Sequence, residues 1–316
     1  MPITVVGSIA FDAVKTPFGE RDRMLGGAAV HFALAASMFD DVRIVGPIGS
    51  DFEEEHLAML GRHGIDVGDV ERLEGETFFW RGEYDWDMNS RTTHETRLGV
   101  FEGFAPKLSQ TSRESDVLFL ANIQPDLQLE VRRQLPQARF VALDSMDLWI
   151  DIEREALVEA ISEVDCLILN DGELRQLTGH ANLVGAAREI LAWRSGAGRG
   201  PRIVVAKQGA YGAALFSDEG FFSLPAYPLE SVVDPTGAGD TFAGGLVGYI
   251  AAHPDEALDD QLLRRAMAHA TVLASFNVER FGTERLEQLA SDEVVRRIGE
   301  LQRMTAFSTA PAPLRR

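Results

Sequence analysis

The sequence predicts an α/β fold, a three-layer α/β/α arrangement around a mostly parallel central sheet. Three observations predict it. Short runs of Val, Ile and Leu recur without alternation, helix-like stretches separate them, and the central runs end on polar residues.

The apolar runs are residues 3–6, 42–45, 117–120, 140–143, 166–169 and 203–206. Strands buried on both faces read this way. Residues 28–38, 52–63, 127–135, 152–162 and 183–194 read as the intervening helices, and the strand–helix repetition calls for a parallel sheet. Asn122, Asp144, Asn170 and Lys207 stand just after their apolar runs. In open α/β sheets ligands bind outside the carboxyl ends of the strands, so these four would line one edge. Each alone is also what any strand leaves where a turn begins.

Residues 76–101 break the rhythm. Phe78, Trp80, Tyr84, Trp86 and Met88 fall on alternate positions, with Arg81, Glu83, Asp85 and Asp87 between them, as in a strand with one apolar face. Residues 87–91 read as a turn, and Thr96, Leu98 and Val100 alternate again. The expectation is a small β-hairpin joined by residues near 12–19. Its aromatic face would cover a ligand, pair with another subunit, or pack on its own domain. The tail from Ser308, with two prolines, is expected to be disordered.

Composition narrows the function classes. A net charge of −19 argues against nucleic-acid or anionic-membrane partners. No apolar run approaches the roughly 18 residues of a membrane span. The start, MPITVVGSIAFD, lacks the marks of a signal peptide, so a cytoplasmic location is expected. The single cysteine, Cys166, lies in an apolar run and reads as a buried, inert thiol, and no Cys/His cluster has zinc spacing.

The densest chemical signal is DPTGAGDTFAGG, from Asp234 to Gly245. Residues 229–233 read as a strand entering it, and an uncharged, buried helix follows Asp240. Gly237, Ala238 and Gly239 would form the first turn of that helix. There N–H groups lack intrahelical partners and the helix dipole adds positive potential, which suits a phosphate. Asp240 would repel a phosphate unless it faces a hydroxyl instead, accepting that proton as phosphorus transfers. The plainer reading is an aspartate that only caps the helix. Gly244, Gly245 and Gly248 cost about 1 kcal/mol each in helix propensity, which points to close packing against a neighbour. No Gly-x-x-x-x-Gly-Lys-Ser/Thr occurs, and no Gly-x-Gly-x-x-Gly follows the first strand, which sets aside a P-loop ATPase and a Rossmann dehydrogenase.

The stretch from Asp234 to Gly245 closely resembles the C-terminal signature of the ribokinase-like (PfkB) family of sugar and nucleoside kinases. Gly26-Gly27-Ala28-Ala29-Val30-His31 resembles its diglycine segment. Gly46 to Phe52 resembles the strand-to-helix turn that follows, Asn170-Asp171-Gly172-Glu173 its Asn-x-x-Glu element, and Lys207 to Gly212 its nucleotide-side turn. The resemblance covers roughly residues 3–286. It implies a ribokinase-like domain over residues 1–307, with a β-lid built from about 11–25 and 67–101.

It also implies an ATP- and Mg²⁺-dependent phosphotransferase acting on a primary hydroxyl. Asp240 would be the general base, and the amides of Gly237, Ala238 and Gly239 the anion hole. Asp12, Gly26, Gly27, His31 and Asn122 would meet the acceptor; the Asp12 carboxylate suits a diol, and Phe11 beside it would help the aromatic hairpin face sandwich a nucleobase. Asn170, Glu173, Lys207, Gly209, Gly212 and Thr236 would serve ATP, with Glu173 holding Mg²⁺ through water. Asp234 and Thr236 resemble a region that binds a monovalent cation, K⁺, in some members. Many members carry asparagine where this chain has His31, which on this apolar helix either contacts the acceptor or is a satisfied core residue. The chain looks nearest to the nucleoside-kinase-like members, with a 5′-hydroxyl as acceptor. A free ribose- or fructose-type sugar and a catalytically silent binding protein on the same fold are the alternatives. A homodimer through the lid is a further implication.

Overall fold

The apolar runs become strands whose alternate side chains enter opposite cores. In the computed structural model, which describes residues 1–194 and 200–308, the strands in chain order are β1 (Ile3–Val6), β2 (Ala10–Thr16), β3 (Gly19–Gly26), β4 (Val42–Ile48), β5 (Ile65–Arg72), β6 (Phe78–Tyr84), β7 (Arg91–Arg97), β8 (Val117–Leu120), β9 (Phe140–Asp144), β10 (Cys166–Asn170), β11 (Ile203–Lys207), β12 (Ala213–Ser217) and β13 (Gly220–Leu224). The helices are α1 (Ala28–Ala36), α2 (Glu54–Arg62), α3 (Gln110–Arg113), α4 (Pro125–Gln134), α5 (Asp147–Ile152), α6 (Arg154–Ser162), α7 (Asp171–Thr178), α8 (Leu183–Ala192), α9 (Ala238–Ala251), α10 (Asp260–Asn277) and α11 (Ser291–Thr305).

Nine strands form one sheet in the order β13-β12-β11-β10-β9-β8-β1-β4-β5, parallel from β11 to β5, with β12 and β13 antiparallel at one edge. Ile3, Val5, Phe119, Ala142, Ile168 and Val205 face a core with α1, α9 and α10. Val6, Leu118, Leu120, Leu143, Leu167 and Val204 face the other, with α4, α6, α7 and α8. The three layers follow from strands with no polar face. Gly244 and Gly248 lie against Phe32, Ala35 and Ala36 of α1, and Gly245 against Ala270 of α10, the close packing that their helix cost implied.

Several expectations need correction. Residues 46–48, expected in a turn, extend β4. Pro47 is tolerated there because β1 ends opposite Val45, so that side of the strand has no ladder to donate to. Residues 229–233 form no strand; Val233 and Asp234 donate their N–H groups to the Val278 carbonyl at the end of α10 instead of to a neighbouring strand. Of the tail, residues 309–316 lie outside the described residues.

The second sheet is four-stranded, β3-β2-β6-β7, with β6 parallel to β2 and antiparallel to β7. The expected hairpin is therefore there, and residues of β2 and β3 join it. Its aromatic face differs from the expectation. The strand stops at Tyr84, so Trp86 falls in the turn and is 82% exposed. Tyr84 packs with Val14 and Phe281, and Phe78 on Phe101, so these rings are spent on the protein itself. After Arg97 a 3₁₀ turn over Gly99–Phe101 replaces the expected alternation, leaving Leu98 exposed.

Candidate active site

Neighbouring parallel strands deliver Asp144, Asn170 and Lys207 at their carboxyl ends, with Asn170 and Lys207 in register. The Lys207 ammonium meets the buried Asp144 carboxylate at 2.7 Å. Burial works against that charge, but Asp144, Glu173 and Asp240 outweigh it and hold the lysine above its ordinary range. Asn170 caps α7: its Oδ1 accepts the Glu173 N–H, and Glu173 accepts the Asn170 N–H, each at 2.7 Å. Glu173 is pushed up to about 7, by burial first and by Asp144 against the relief from Lys207. Asn122 stands apart from these contacts. Its amide is engaged by Trp149 Nε1 at 3.0 Å and by Met146 Sδ at 3.2 Å.

The glycine-rich stretch opens α9 as its residues require. Gly237 adopts the left-handed conformation, φ 73°, and its Cα rests on the imidazole ring of His31, where any side chain would overlap the ring. Ala238 donates its N–H to the Pro235 carbonyl at 3.2 Å, while those of Gly237 and Gly239 find no backbone acceptor among the described residues. A Cβ on Gly239 would stand 3.1 Å from Lys207 Nζ, so the ammonium lies directly against this turn. Asp240 follows at once. Burial, and next Asp144, push its carboxyl up to about 7; Lys207 and Arg91 oppose them.

Asp12 lies in β2, 5% exposed, and accepts the Gly27 N–H. Its carboxyl is also pushed up to about 7, by burial and then by Asp234 and Asp240. Gly26 leaves room for it: a side chain there would collide with Asp12 Oδ2. The expected helper, Phe11, points the other way, against Phe52, His56 and the Arg23 guanidinium. His31 is buried; its Nδ1 lies 3.0 Å from Asn277 Oδ1, and desolvation lowers its pKa to about 4.

The small sheet reaches this edge. The Asn89 amide oxygen, in its turn, lies against Gly209, which with Gly212 brackets the 3₁₀ turn after Lys207. Tyr84 Oη meets Thr236 Oγ1 at 3.4 Å. Asp144 was expected here only as a strand end lining the edge and Tyr84 only on the hairpin's aromatic face, while Arg91 and Asn277 were not expected at all. Arg91 and Asn277 meet the site through tertiary contacts that no spacing encodes.

Carboxylates outnumber cations here: Asp12, Asp144, Glu173, Asp234 and Asp240 against Lys207 and Arg91. Among the described residues no group of three or more His, Cys, Asp or Glu could hold a metal by itself. The donor set thus fits a hard cation that arrives with a phosphate ligand and water. Asp234 differs. Its Oδ1 accepts the Thr236 N–H and its Oδ2 the Gly282 N–H, both at 2.9 Å, yet burial outweighs these amides and holds its carboxyl above the ordinary range.

The pfkB family carbohydrate kinase model matches residues 4–288. A cytidine kinase of Thermococcus kodakarensis is 31% identical over 263 residues, 81% of this chain and 91% of that protein. A nucleoside kinase of Methanocaldococcus jannaschii superposes with a TM-score of 0.73 at 19% identity, covering 95% of this chain and 98% of the other. A Burkholderia thailandensis nucleoside kinase, solved in complex with inosine, superposes with a TM-score of 0.74 at 19% identity and the same coverage.

Proposed function

The chain belongs to the pfkB family of carbohydrate kinases, and on that premise we propose that it transfers the γ-phosphoryl group of ATP to the 5′-hydroxyl of a nucleoside. One observation carries the reading. Asp240, a desolvated carboxylate, opens α9 beside two unbonded glycine amides, with the Lys207 ammonium against the same turn.

Each group then has a task. Asp12 accepts hydrogen bonds from neighbouring hydroxyls of the acceptor, whose approach Gly26 and Gly27 leave open. The acceptor's primary hydroxyl faces Asp240. As its oxygen bonds to phosphorus, its proton passes to Asp240 and the bond from phosphorus to the leaving ADP oxygen breaks. The amides of Gly237 and Gly239, on either side of Ala238, and the Lys207 ammonium receive the charge on the transferring group. Asn170, Gly209, Gly212 and Thr236 border the donor's place, and the turn carrying Asn89 closes that side. Glu173 would hold Mg²⁺ through water, and the ion would supply charge neutralisation to the phosphates. A carboxylate raised to about 7 is suited to general-base work near neutrality, which favours this reading of Asp240 over a mere helix cap.

The nucleoside assignment rests on the named activity of the relative matched over most of both chains. The test is ATP consumption with cytidine, uridine, adenosine, inosine, ribose and fructose, and identification of the product by NMR. A 5′-phosphorylated nucleoside, with kcat/KM at least about tenfold above either sugar, is expected. A preference for ribose or fructose would overturn the acceptor assignment. Acceptor binding without ADP formation would mark a silent binding protein.

A further inference from the structure

Behind the turn that opens α9 lies a buried polar network that the transfer step does not use. Asn277, the last residue of α10, is wholly buried and makes three contacts. Its Nδ2 donates to the Thr236 carbonyl at 2.7 Å, its Oδ1 accepts from the Thr241 hydroxyl at 3.1 Å, and His31 Nδ1 lies 3.0 Å from the same Oδ1. The orientation of this amide follows from its partners. A carbonyl oxygen only accepts, so the atom facing Thr236 is the amide nitrogen. Oδ1 must then accept from both other groups, which places the His31 proton on Nδ1. His31 Nε2 is left without a partner among the described residues.

The Thr236 carbonyl is not an arbitrary anchor. It shares a peptide unit with the Gly237 N–H, one of the two unbonded amides of the proposed anion hole. A trans peptide is planar, with C=O and N–H pointing in opposite directions. Drawing the carbonyl inward onto Asn277 therefore turns the Gly237 N–H outward from the buried network. Without that anchor the unit can rotate, because Gly237, lacking a Cβ, tolerates the φ of either orientation. His31 secures the anchor twice: it donates to Asn277 Oδ1, and its ring is the floor beneath the Gly237 Cα.

We propose that Asn277, held in orientation by His31, is a positioning residue that aims the Gly237 N–H at the transferring phosphoryl group. This rests on the kinase reading above, and it moves His31 from the acceptor's surface to the support of the anion hole. Asn277 touches neither substrate; it acts through one peptide plane.

The experiment compares Asn277→Leu, Asn277→Ala, His31→Gln and His31→Leu with the wild-type enzyme. It follows kcat, acceptor KM, affinity for ADP, and affinity for ADP with aluminium fluoride, a mimic of the transferring group. Asn277→Leu keeps much of the volume but has no donor for Thr236 and no acceptor for His31 or Thr241. Losing an aimed amide donor costs about 10²-fold in kcat. Losses of about that size are expected in both Asn277 variants, with acceptor KM and ADP affinity within about threefold of wild type. Affinity for the aluminium fluoride complex should fall in parallel with kcat. His31→Gln retains a donor for Oδ1 and should keep more turnover than His31→Leu. Thermal unfolding identifies variants that fail to fold, and the His31 pair carries the test if both Asn277 variants do. Wild-type kcat in Asn277→Leu, or ADP affinity falling as far as kcat, would overturn the proposal, as would equal losses in the two His31 variants. Asp240→Asn, assayed alongside, separates the two levels: if it retains turnover, the kinase-site reading itself fails.

Discussion

Replacing Asp12 with asparagine should stabilise the free protein, and do so more at pH 8 than at pH 5. In the folded state burial, with help from Asp234 and Asp240, moves this carboxyl from 3.8 to about 7. A folded value above the unfolded one means that the group's stability contribution is fully present below about pH 4 and is lost as the pH rises through 7. At about 1.4 kcal/mol per pH unit, ionised Asp12 costs roughly 4 kcal/mol at pH 8 and roughly 1–2 kcal/mol at pH 5. Asparagine keeps an acceptor for the Gly27 N–H and has no charge to desolvate. Urea unfolding should therefore show Asp12→Asn gaining about 2–3 kcal/mol more at pH 8 than at pH 5. Acceptor KM should rise at the same time, because the amide accepts fewer hydroxyl protons than the carboxylate. An equal effect at both pH values, or a larger gain at pH 5, would refute the reasoning.

Lys207→Ala leaves Asp144 buried without its partner and should destabilise the protein by about 3–5 kcal/mol at pH 8, with a large loss of turnover. Adding Asp144→Asn should restore most of that stability in thermal unfolding but not the turnover, since the ammonium stays absent. Gly237→Ala must fit a side chain into the His31 ring at a left-handed φ, so urea unfolding should show a loss of more than about 2 kcal/mol. Trp86→Ser, in the exposed turn of the small sheet, should change stability by less than about 0.5 kcal/mol.

The central strands were legible because both of their faces are buried, which leaves Val, Ile and Leu little competition. β5 was harder to read: Asp66, Asp69 and Glu71 give its edge position a loop-like composition. The edge pair β12 and β13 and the helix α10 were also not expected. An Asp259 cap and the apolar series Leu262, Leu263, Ala266, Met267 and Ala270 do mark α10 in the sequence. The small sheet was readable as alternation, but where its strand stops was not, so the alternation places Trp86 on a face it does not share. Asp12, Asn170, Lys207 and Asp240 could be read as candidates because each stands at the end of an element or in a motif. The Asp144–Lys207 pair joins residues 63 positions apart, and the His31–Asn277 contact joins residues 246 apart, so neither is written in local spacing.

The pH dependence of turnover in wild type and Asp240→Asn tests the central claim most directly. The wild-type rate should fall as the pH drops through about 7, where the raised Asp240 carboxyl takes up its proton and can no longer accept one from the acceptor. Asp240→Asn should lower kcat by about 10²–10⁴-fold, keep nucleotide affinity, and lose that acid limb. Near-normal turnover in the variant, or an acid limb that survives unchanged, would contradict a role for Asp240 as the base.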